Sequence, residues 1–162
     1  RLFFTTAYQI TGIGNSLKKR NFVKIKLIYP RWPKLKNQPE FNLPPHGPVV
    51  FAAAAGDDVE ISFCDENIEE LDFTEDADLI ALSVMLTCQI PRAWEIADKY
   101  RASGKKVIFG GIATMLHAEE TAEHADSVFI GEAEGRFDTV INDFKNGALG
   151  AIFVVPNSSA IG

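Results

Sequence analysis

The hydrophobic residues of the chain fall into short apolar runs that are separated by longer polar or amphipathic segments. Five runs have the length and the content of β-branched and aromatic residues that are typical of strands. They span residues 22–29, 59–64, 79–85, 106–109 and 127–130. The second run alternates apolar and polar residues, whereas the third is almost continuously apolar. Alternation indicates one less buried face, so the second strand is predicted at an edge of the sheet and the third inside it.

Amphipathic segments between these strands predict helices. The clearest helix spans 91–104, where apolar residues recur at helical spacing from Ala93 to Tyr100 and Gly104 ends the pattern. Shorter helices are predicted over 47–55, 118–124 and 136–145. Strands that alternate with helices indicate a parallel sheet that is covered on both faces. With right-handed crossovers, the predicted strand order is 2-1-3-4-5, a flavodoxin-like (Rossmann-like), doubly wound α/β fold.

This strand order brings the carboxyl ends of the strands to one edge of the sheet, which we call the rim. Open α/β sheets bind ligands at this edge, next to the point where the strand order reverses, here between the first and third strands. The residues predicted at the rim include Pro30, Met85, Thr87, Gly110, Gly111, Gly131 and Glu132. Two adjacent glycines let the backbone approach a ligand closely, and a plain strand-to-loop turn explains them equally well. The rim is therefore the candidate ligand site.

Composition and charge narrow the class of protein. A length of 162 residues with 46% hydrophobic content predicts one domain with its own core. Residues 1–40 contain nine lysines and arginines and one acidic residue. Residues 41–162 contain seven lysines and arginines and twenty-one acidic residues. This basic arm lacks the interleaved aromatic residues of a single-strand binder, so a solvated extension is expected and nucleic acid is not. No run approaches ~18 apolar residues, so no membrane span is expected.

The sequence lacks the motifs of several ligand sites that this fold can carry. The candidate for a dinucleotide fingerprint, TGIGNSL, precedes the first strand and has Leu17 at the position of the third glycine. Prolines and bulky residues stand where a flavodoxin has its phosphate loop. Met85 stands where a phospho-receiver domain has an acid. No set of serine, histidine and aspartate is visible, so no catalytic residue is assigned.

Cysteines and histidines add little to the predicted chemistry. Cys64 and Cys88 are too few for a zinc or iron–sulfur site, and they suggest structural thiols in a reducing compartment such as the cytoplasm. His117 and His124 are expected to be solvated residues at helix ends. His46, in the loop after the first strand, is either a turn residue or a ligand contact. No metal-ligating residue is assigned.

Four stretches of the chain stand out as a set. They are PPHGPVVFAAAA (44–55), LSVMLT (82–87), FGGIATML (109–116) and ADSVFIGEAEGRF (125–137). Over roughly residues 24–148, this set resembles the N-terminal cobalamin-binding domain of radical S-adenosylmethionine enzymes of the methyltransferase type. The glycine pair with its following helix and the GEAE stretch are the most specific pieces.

The resemblance implies a Rossmann-like domain that holds cobalamin across the strand ends. The dimethylbenzimidazole tail would enter between the first strand and the third and fourth strands. The implied contacts are Ser83, Met85 and Thr87 along the tail channel, Gly110 and Gly111 at the nucleotide loop, and Gly131 and Glu132 at the nucleotide or the corrin amides. Pro30 completes the predicted cofactor-binding residues. The proline-rich loop with Trp32 and Phe41 is interpreted as an apolar lid.

The chain departs from related patterns in two respects. It lacks the DxHxxG motif whose histidine binds cobalt in the methionine-synthase type of cobalamin domain. The resemblance therefore implies base-off binding without a protein histidine ligand. The chain also lacks CxxxCxxC. The iron–sulfur cluster and S-adenosylmethionine are therefore expected only in a catalytic barrel domain that is absent from this chain.

These features predict three segments: an N-terminal extension (1–21), a cobalamin-binding domain (22–148) and a linker or C-terminal tail (149–162). The predicted function is a cobalamin-binding module that is not catalytic alone. Its expected partners are cobalamin and the radical S-adenosylmethionine barrel domain of the parent protein. The alternative is a flavodoxin-like interaction domain without a cofactor.

Overall fold

The computed structural model describes residues 22–34, 36–37, 45–133 and 136–154. The predicted N-terminal extension and Phe41 of the predicted lid lie outside these residues. The strands are β1 (Val23–Tyr29), β2 (Val59–Asp65), β3 (Leu79–Ser83), β4 (Lys106–Gly110), β5 (Ser127–Ile130) and β6 (Ile152–Val154). The helices are α1 (His46–Ala54), α2 (Ile90–Ala102), α3 (Ile112–Leu116), α4 (Ala118–Glu123) and α5 (Phe137–Lys145), with a 3-10 turn at Thr87–Gln89. None of these helices has the length and apolarity that a membrane span needs.

The strands form one sheet in the order β2-β1-β3-β4-β5-β6, and each neighbouring pair is parallel. The order of the first five strands confirms the flavodoxin-like prediction, with β2 at an edge and β3 inside. β6 is an addition that the sequence did not reveal, because three residues are too few to show a periodicity. It pairs with β5 inside the segment that was assigned to a linker or tail.

β3 ends at Ser83, earlier than the predicted end at Met85. The chain turns at Val84, whose N–H donates to the carbonyl of Gly110 at 2.8 Å and whose carbonyl accepts from the N–H of Ala113 at 3.2 Å. Met85 therefore leaves the sheet, and 44% of its surface is exposed.

The sheet separates two hydrophobic cores, which we call the α2 face and the α1/α5 face. Successive residues of β3 point to opposite faces: Ile80 and Leu82 pack under α2, whereas Leu79 and Ala81 pack under α1 and α5. The helix α2 buries the apolar stripe that its periodicity predicts, namely Ala93, Ile96, Ala97 and Tyr100.

The β2–β3 connection covers the β1 side of the α2 face without a helix in residues 66–78. Phe73 packs against Tyr100 of α2, with 5.0 Å between the ring centroids. Lys26 of β1 is almost fully buried and forms an ion pair with Glu75 of this connection. The ion pair compensates for the burial of the ammonium group, which would otherwise destabilise the fold.

Candidate functional site

A cavity of about 330 Å³ lies between the sheet and the helices α1 and α5, and it opens at the rim. Its floor consists of Leu27, Ala81 and Ile108, which lie side by side in β1, β3 and β4. Its walls are formed by Val50 and Phe51 of α1, Phe129 of β5, and Phe137 and Val140 of α5. The volume lies near the lower end of the ~300–1,000 Å³ range of small-molecule sites. The cavity therefore suits part of a large cofactor better than a whole one.

The mouth of the cavity lies at the strand ends and carries its polar groups. Its residues are His46, Gly47, Ser83, Gly110, Gly111, Gly131, Glu132 and Ala133. The Ser83 hydroxyl makes no hydrogen bond within the described part of the chain. His46 and Glu132 are both exposed. The mouth thus offers a hydroxyl, an imidazole and a carboxylate to a ligand.

Gly110 keeps the mouth open. A Cβ placed on Gly110 would meet nothing within 4 Å, although this residue lines the cavity. A Cβ at this position would therefore lie in the open space of the cavity mouth, away from other protein atoms. Gly47, at the start of α1, is tighter, because its Cβ would approach the Ser83 hydroxyl oxygen at 3.3 Å.

Gly111 is a glycine for a different reason. Its φ is +102°, and a Cβ on it would lie 2.4 Å from the carbonyl oxygen of Val84. Both observations show that the turn after β4 requires a residue without a Cβ. For Gly111 the strand-to-loop explanation is therefore correct, and the need for a glycine comes from the protein backbone. The residue nevertheless lines the mouth of the cavity.

The cavity brings together five of the eight predicted cofactor-binding residues. They are Ser83, Gly110, Gly111, Gly131 and Glu132. Pro30, Met85 and Thr87 do not line it. Pro30 is buried, whereas Met85 and Thr87 are exposed on the loop after β3. A contact of these three residues with another part of a ligand stays a prediction.

Gln89 organises the rim and was missed by the sequence analysis. Its side chain is fully buried, and its Oε1 accepts from the N–H groups of Met85 at 3.1 Å and Leu86 at 2.8 Å. Its Nε2 donates to the carbonyl of Pro30. One side chain thus ties the end of β1 to the loop after β3, at the point where the strand order reverses. No motif in the sequence predicts this role of Gln89.

The sequence also did not identify the residues that form the walls of the cavity. Phe51, Phe137 and Val140 have the helical spacing and apolar character of ordinary core residues, so the sequence gives no reason to separate them from the core. The one signal was Ala81, a small residue in the middle of a strand of bulky ones. Its short side chain leaves part of the floor unfilled.

The remaining thiols and imidazoles lie away from the cavity. Burial raises the pKa of the Cys64 thiol to about 12, which fits an inert structural thiol. Cys88 is exposed, so packing does not explain it. His124 stacks on Trp94 with 4.7 Å between ring centroids and its Nδ1 lies 2.9 Å from Asp98, so the prediction of a simply solvated side chain is wrong. No cluster of three or more potential metal ligands occurs in the described residues.

The family model of the B12 binding domain matches residues 37–141. The chain belongs to the B12-binding domain family. The matched region contains α1, β2 to β5 and the first half of α5, and with them most of the cavity. This match, together with the strand order, supports the cofactor that the sequence resemblance implied.

Two curated relatives are methyltransferases of Chlorobaculum tepidum. The chain is 34% identical to bacteriochlorophyllide d C-8(2)-methyltransferase over 90 residues. This alignment covers 55% of this chain and 20% of that protein. The chain is 26% identical to bacteriochlorophyllide d C-12(1)-methyltransferase over 112 residues. This second alignment covers 67% of this chain and 24% of that protein. The chain thus spans a fifth to a quarter of these relatives. No solved structure gives a significant match.

Proposed function

We propose that this chain is the cobalamin-binding module of a radical S-adenosylmethionine enzyme that transfers methyl groups or performs related radical chemistry. The observation that carries the proposal is the apolar cavity at the rim, with Gly110 at its mouth. A corrinoid with a long tail needs such a narrow slot beside strand ends that are free of side chains. The family match over residues 37–141 supports cobalamin as the occupant.

The residues of the cavity fit the tail of cobalamin. The hydrocarbon side chains of α1 and α5 would bury its base and exclude water, while the Ser83 hydroxyl would meet a polar atom at the mouth. Gly110 and Gly131 would leave the tail room to pass over the strand ends. When bound, cobalamin supplies a cobalt ion that can accept and release a methyl group.

The cofactor is proposed to bind base-off, without a histidine of this chain on cobalt. The absence of DxHxxG supports this part of the proposal. His46 lines the mouth, but it is the first residue of α1 and directly follows Pro45, which restricts its reach. A cobalt ion without a ligand from this chain would suit a cofactor that accepts and releases a methyl group.

The chemistry of the parent protein is proposed to occur in a domain outside this chain. The relatives' names describe methyltransferases, and most of their length lies beyond the matched region. The iron–sulfur cluster and S-adenosylmethionine would be bound by that domain, a barrel that faces the cobalamin. The segment boundaries at 21/22 and 148/149 belong to this proposal, with β6 as a strand that the segment after residue 148 adds to the sheet.

The test of cofactor binding is the colour of the protein. The chain is incubated with hydroxocobalamin, desalted and examined by visible absorption. Retention of one corrinoid per chain is expected, because the cavity buries the tail. A folded protein that retains none would overturn the proposal and favour the interaction domain without a cofactor.

Electron paramagnetic resonance tests the absence of a histidine ligand. The cobalamin-loaded protein, reduced to cobalt(II), is expected to show no nitrogen splitting from a protein imidazole. The spectra of the unchanged protein and of His46→Ala should then coincide. Nitrogen superhyperfine splitting that disappears in His46→Ala would make this residue an axial ligand and overturn the assignment.

A further inference from the structure

The depth of the cavity differs in chemistry from its mouth. Ser83 and Gly110 lie at the level of the mouth, and Ala81 and Ile108 lie two residues deeper on the same strands, about 6.6 Å below. Below the mouth the lining side chains are hydrocarbon, namely Leu27, Val50, Phe51, Ala81, Ile108, Phe137 and Val140. The Ser127 hydroxyl points to the same face from β5 but does not line the cavity.

Backbone groups do not supply polar partners at this depth either. Leu27, Ala81 and Ile108 lie on β1, β3 and β4, which are flanked by hydrogen-bonded strands on both sides. Their N–H and C=O groups are therefore used within the sheet. Among the residues that the structure describes, a ligand atom that reaches the floor meets methyl groups, methylene groups and aromatic rings, and no hydrogen-bond donor or acceptor.

From this contrast we infer that the cavity selects the base of the corrinoid tail: it accepts an apolar aromatic base such as dimethylbenzimidazole and rejects a purine such as adenine. The inference rests on the proposed function. The residues that set the specificity are Ala81 on the floor and Val50 on the wall, because each leaves a purely apolar surface below the mouth.

The chemistry of the two bases explains the direction of the selection. Dimethylbenzimidazole has one ring nitrogen that is free to meet a partner, and the Ser83 hydroxyl at the mouth can serve it. Adenine carries an exocyclic amine and additional ring nitrogens, which cannot all reach the mouth. Each polar group that is buried without a partner lowers affinity roughly 5- to 150-fold. The edge-on pair Phe51 and Phe137, with ring centroids 4.4 Å apart, instead favours contact with an apolar ring.

The experiment compares three corrinoids that differ only in the tail base. Their dissociation constants for the full chain are measured by calorimetry, with dimethylbenzimidazole, adenine or para-cresol as the base. The adenine form is expected to bind at least ~10-fold more weakly than the dimethylbenzimidazole form. The para-cresol form, which lacks ring nitrogens, is expected to bind within several-fold of the dimethylbenzimidazole form. Equal affinity for the adenine and dimethylbenzimidazole forms would overturn the inference and leave the proposed function standing. Binding of none of them would overturn the proposed function itself.

Three variants locate the selection within the protein. Ala81→Ser and Val50→Thr each add a hydroxyl below the mouth, so each should reduce the preference for dimethylbenzimidazole over adenine several-fold. Val49→Thr is the matched control, because Val49 is the neighbouring residue of α1, is 63% exposed and does not line the cavity. Thermal unfolding verifies that each variant is folded. A preference that is unchanged in both folded cavity variants, or equally reduced in Val49→Thr, would overturn the assignment of Ala81 and Val50.

Discussion

The two faces of the sheet are built from alternate residues of the same strands, yet they differ in how completely they are filled. On the α2 face, Leu82, Phe109 and Ile96 pack together with at most 2% of their surface exposed. On the α1/α5 face, Ala81 and Gly110 occupy corresponding positions and leave a cavity at the rim. The comparison indicates that protein side chains fill the α2 face, whereas the α1/α5 face leaves a space in which the proposed cofactor would bind.

The largest expected effect is a loss of stability on the α2 face. Ile96→Ala removes a fully buried side chain of α2 and should lower the free energy of unfolding by ~2–5 kcal/mol. Ile112→Ala is the control, because Ile112 is 62% exposed on α3 and should cost less than ~0.5 kcal/mol. Urea denaturation measures both values. Equal losses in the two variants would mean that the α2 face does not carry the stability assigned to it.

The adjacent glycines should separate stability from binding. Gly111→Val forces a side chain onto the Val84 carbonyl at a positive φ, so it should destabilise the protein by ~3 kcal/mol. At Gly110 an added Cβ meets no protein atom within 4 Å, so Gly110→Val should change stability by less than ~1 kcal/mol, but it should abolish retention of cobalamin after desalting.

Gly150→Val is the control for both glycine variants. A Cβ at Gly150 also meets nothing within 4 Å, and this residue does not line the cavity. Stability and cobalamin retention should therefore both be preserved. Full retention by a folded Gly110→Val protein would remove the mouth of the cavity from the binding site.

The pH dependence of stability offers a further test of the α2 face, where Cys64 lies beside Ile28. Burial raises the pKa of its thiol from 9.0 to about 12, so the folded protein favours the neutral thiol. The contribution of Cys64 to stability is therefore complete below pH 9 and is lost as the pH rises from about 9 toward 12. The difference in unfolding free energy between the unchanged protein and Cys64→Ala should shrink by ~1 kcal/mol between pH 8 and pH 10. A difference for Cys64→Ala that stays constant over this pH range would contradict the expected burial of the thiol.

The smallest expected effect concerns the hydroxyl at the mouth. Ser83→Ala should weaken cobalamin binding several-fold, because a neutral hydrogen bond typically contributes ~1 kcal/mol. Ser62→Ala on β2 is the control, since Ser62 does not line the cavity and its loss should leave affinity unchanged. Calorimetry measures both. A loss of several orders of magnitude in Ser83→Ala would show that Ser83 supports the structure of the site and is not a simple ligand contact.

The sequence predicted the sheet well because the burial of a strand determines the pattern of apolar and polar residues along it. The alternating pattern of β2 and the continuous pattern of β3 were sufficient to assign the edge and the interior of the sheet. β6 escaped detection because Ile152–Val154 is shorter than any periodic pattern. The end of β3 was misplaced because hydrophobicity continues to Met85, whereas the hydrogen bonds of Val84 turn the chain away.

The candidate site was only partly predictable, since its residues come together through the tertiary structure. Small or polar residues at strand ends indicated the mouth, and five of them do line the cavity. Sequence alone cannot distinguish the two glycines: Gly110 borders the open space of the cavity, whereas close contact with Val84 explains Gly111. Gln89 could not be identified, because its role depends on the distance between two loops that are remote in sequence.

The direction of β6 has a consequence for the proposed assembly. Because β6 runs parallel to β5, the chain leaves the sheet at the same edge at which the cavity opens. A catalytic domain joined there by a short flexible linker would be held close to the cofactor, at an effective concentration on the order of millimolar. Productive contact between the two domains would then require only weak surface affinity, which leaves the catalytic domain able to separate and to exchange substrate between turnovers.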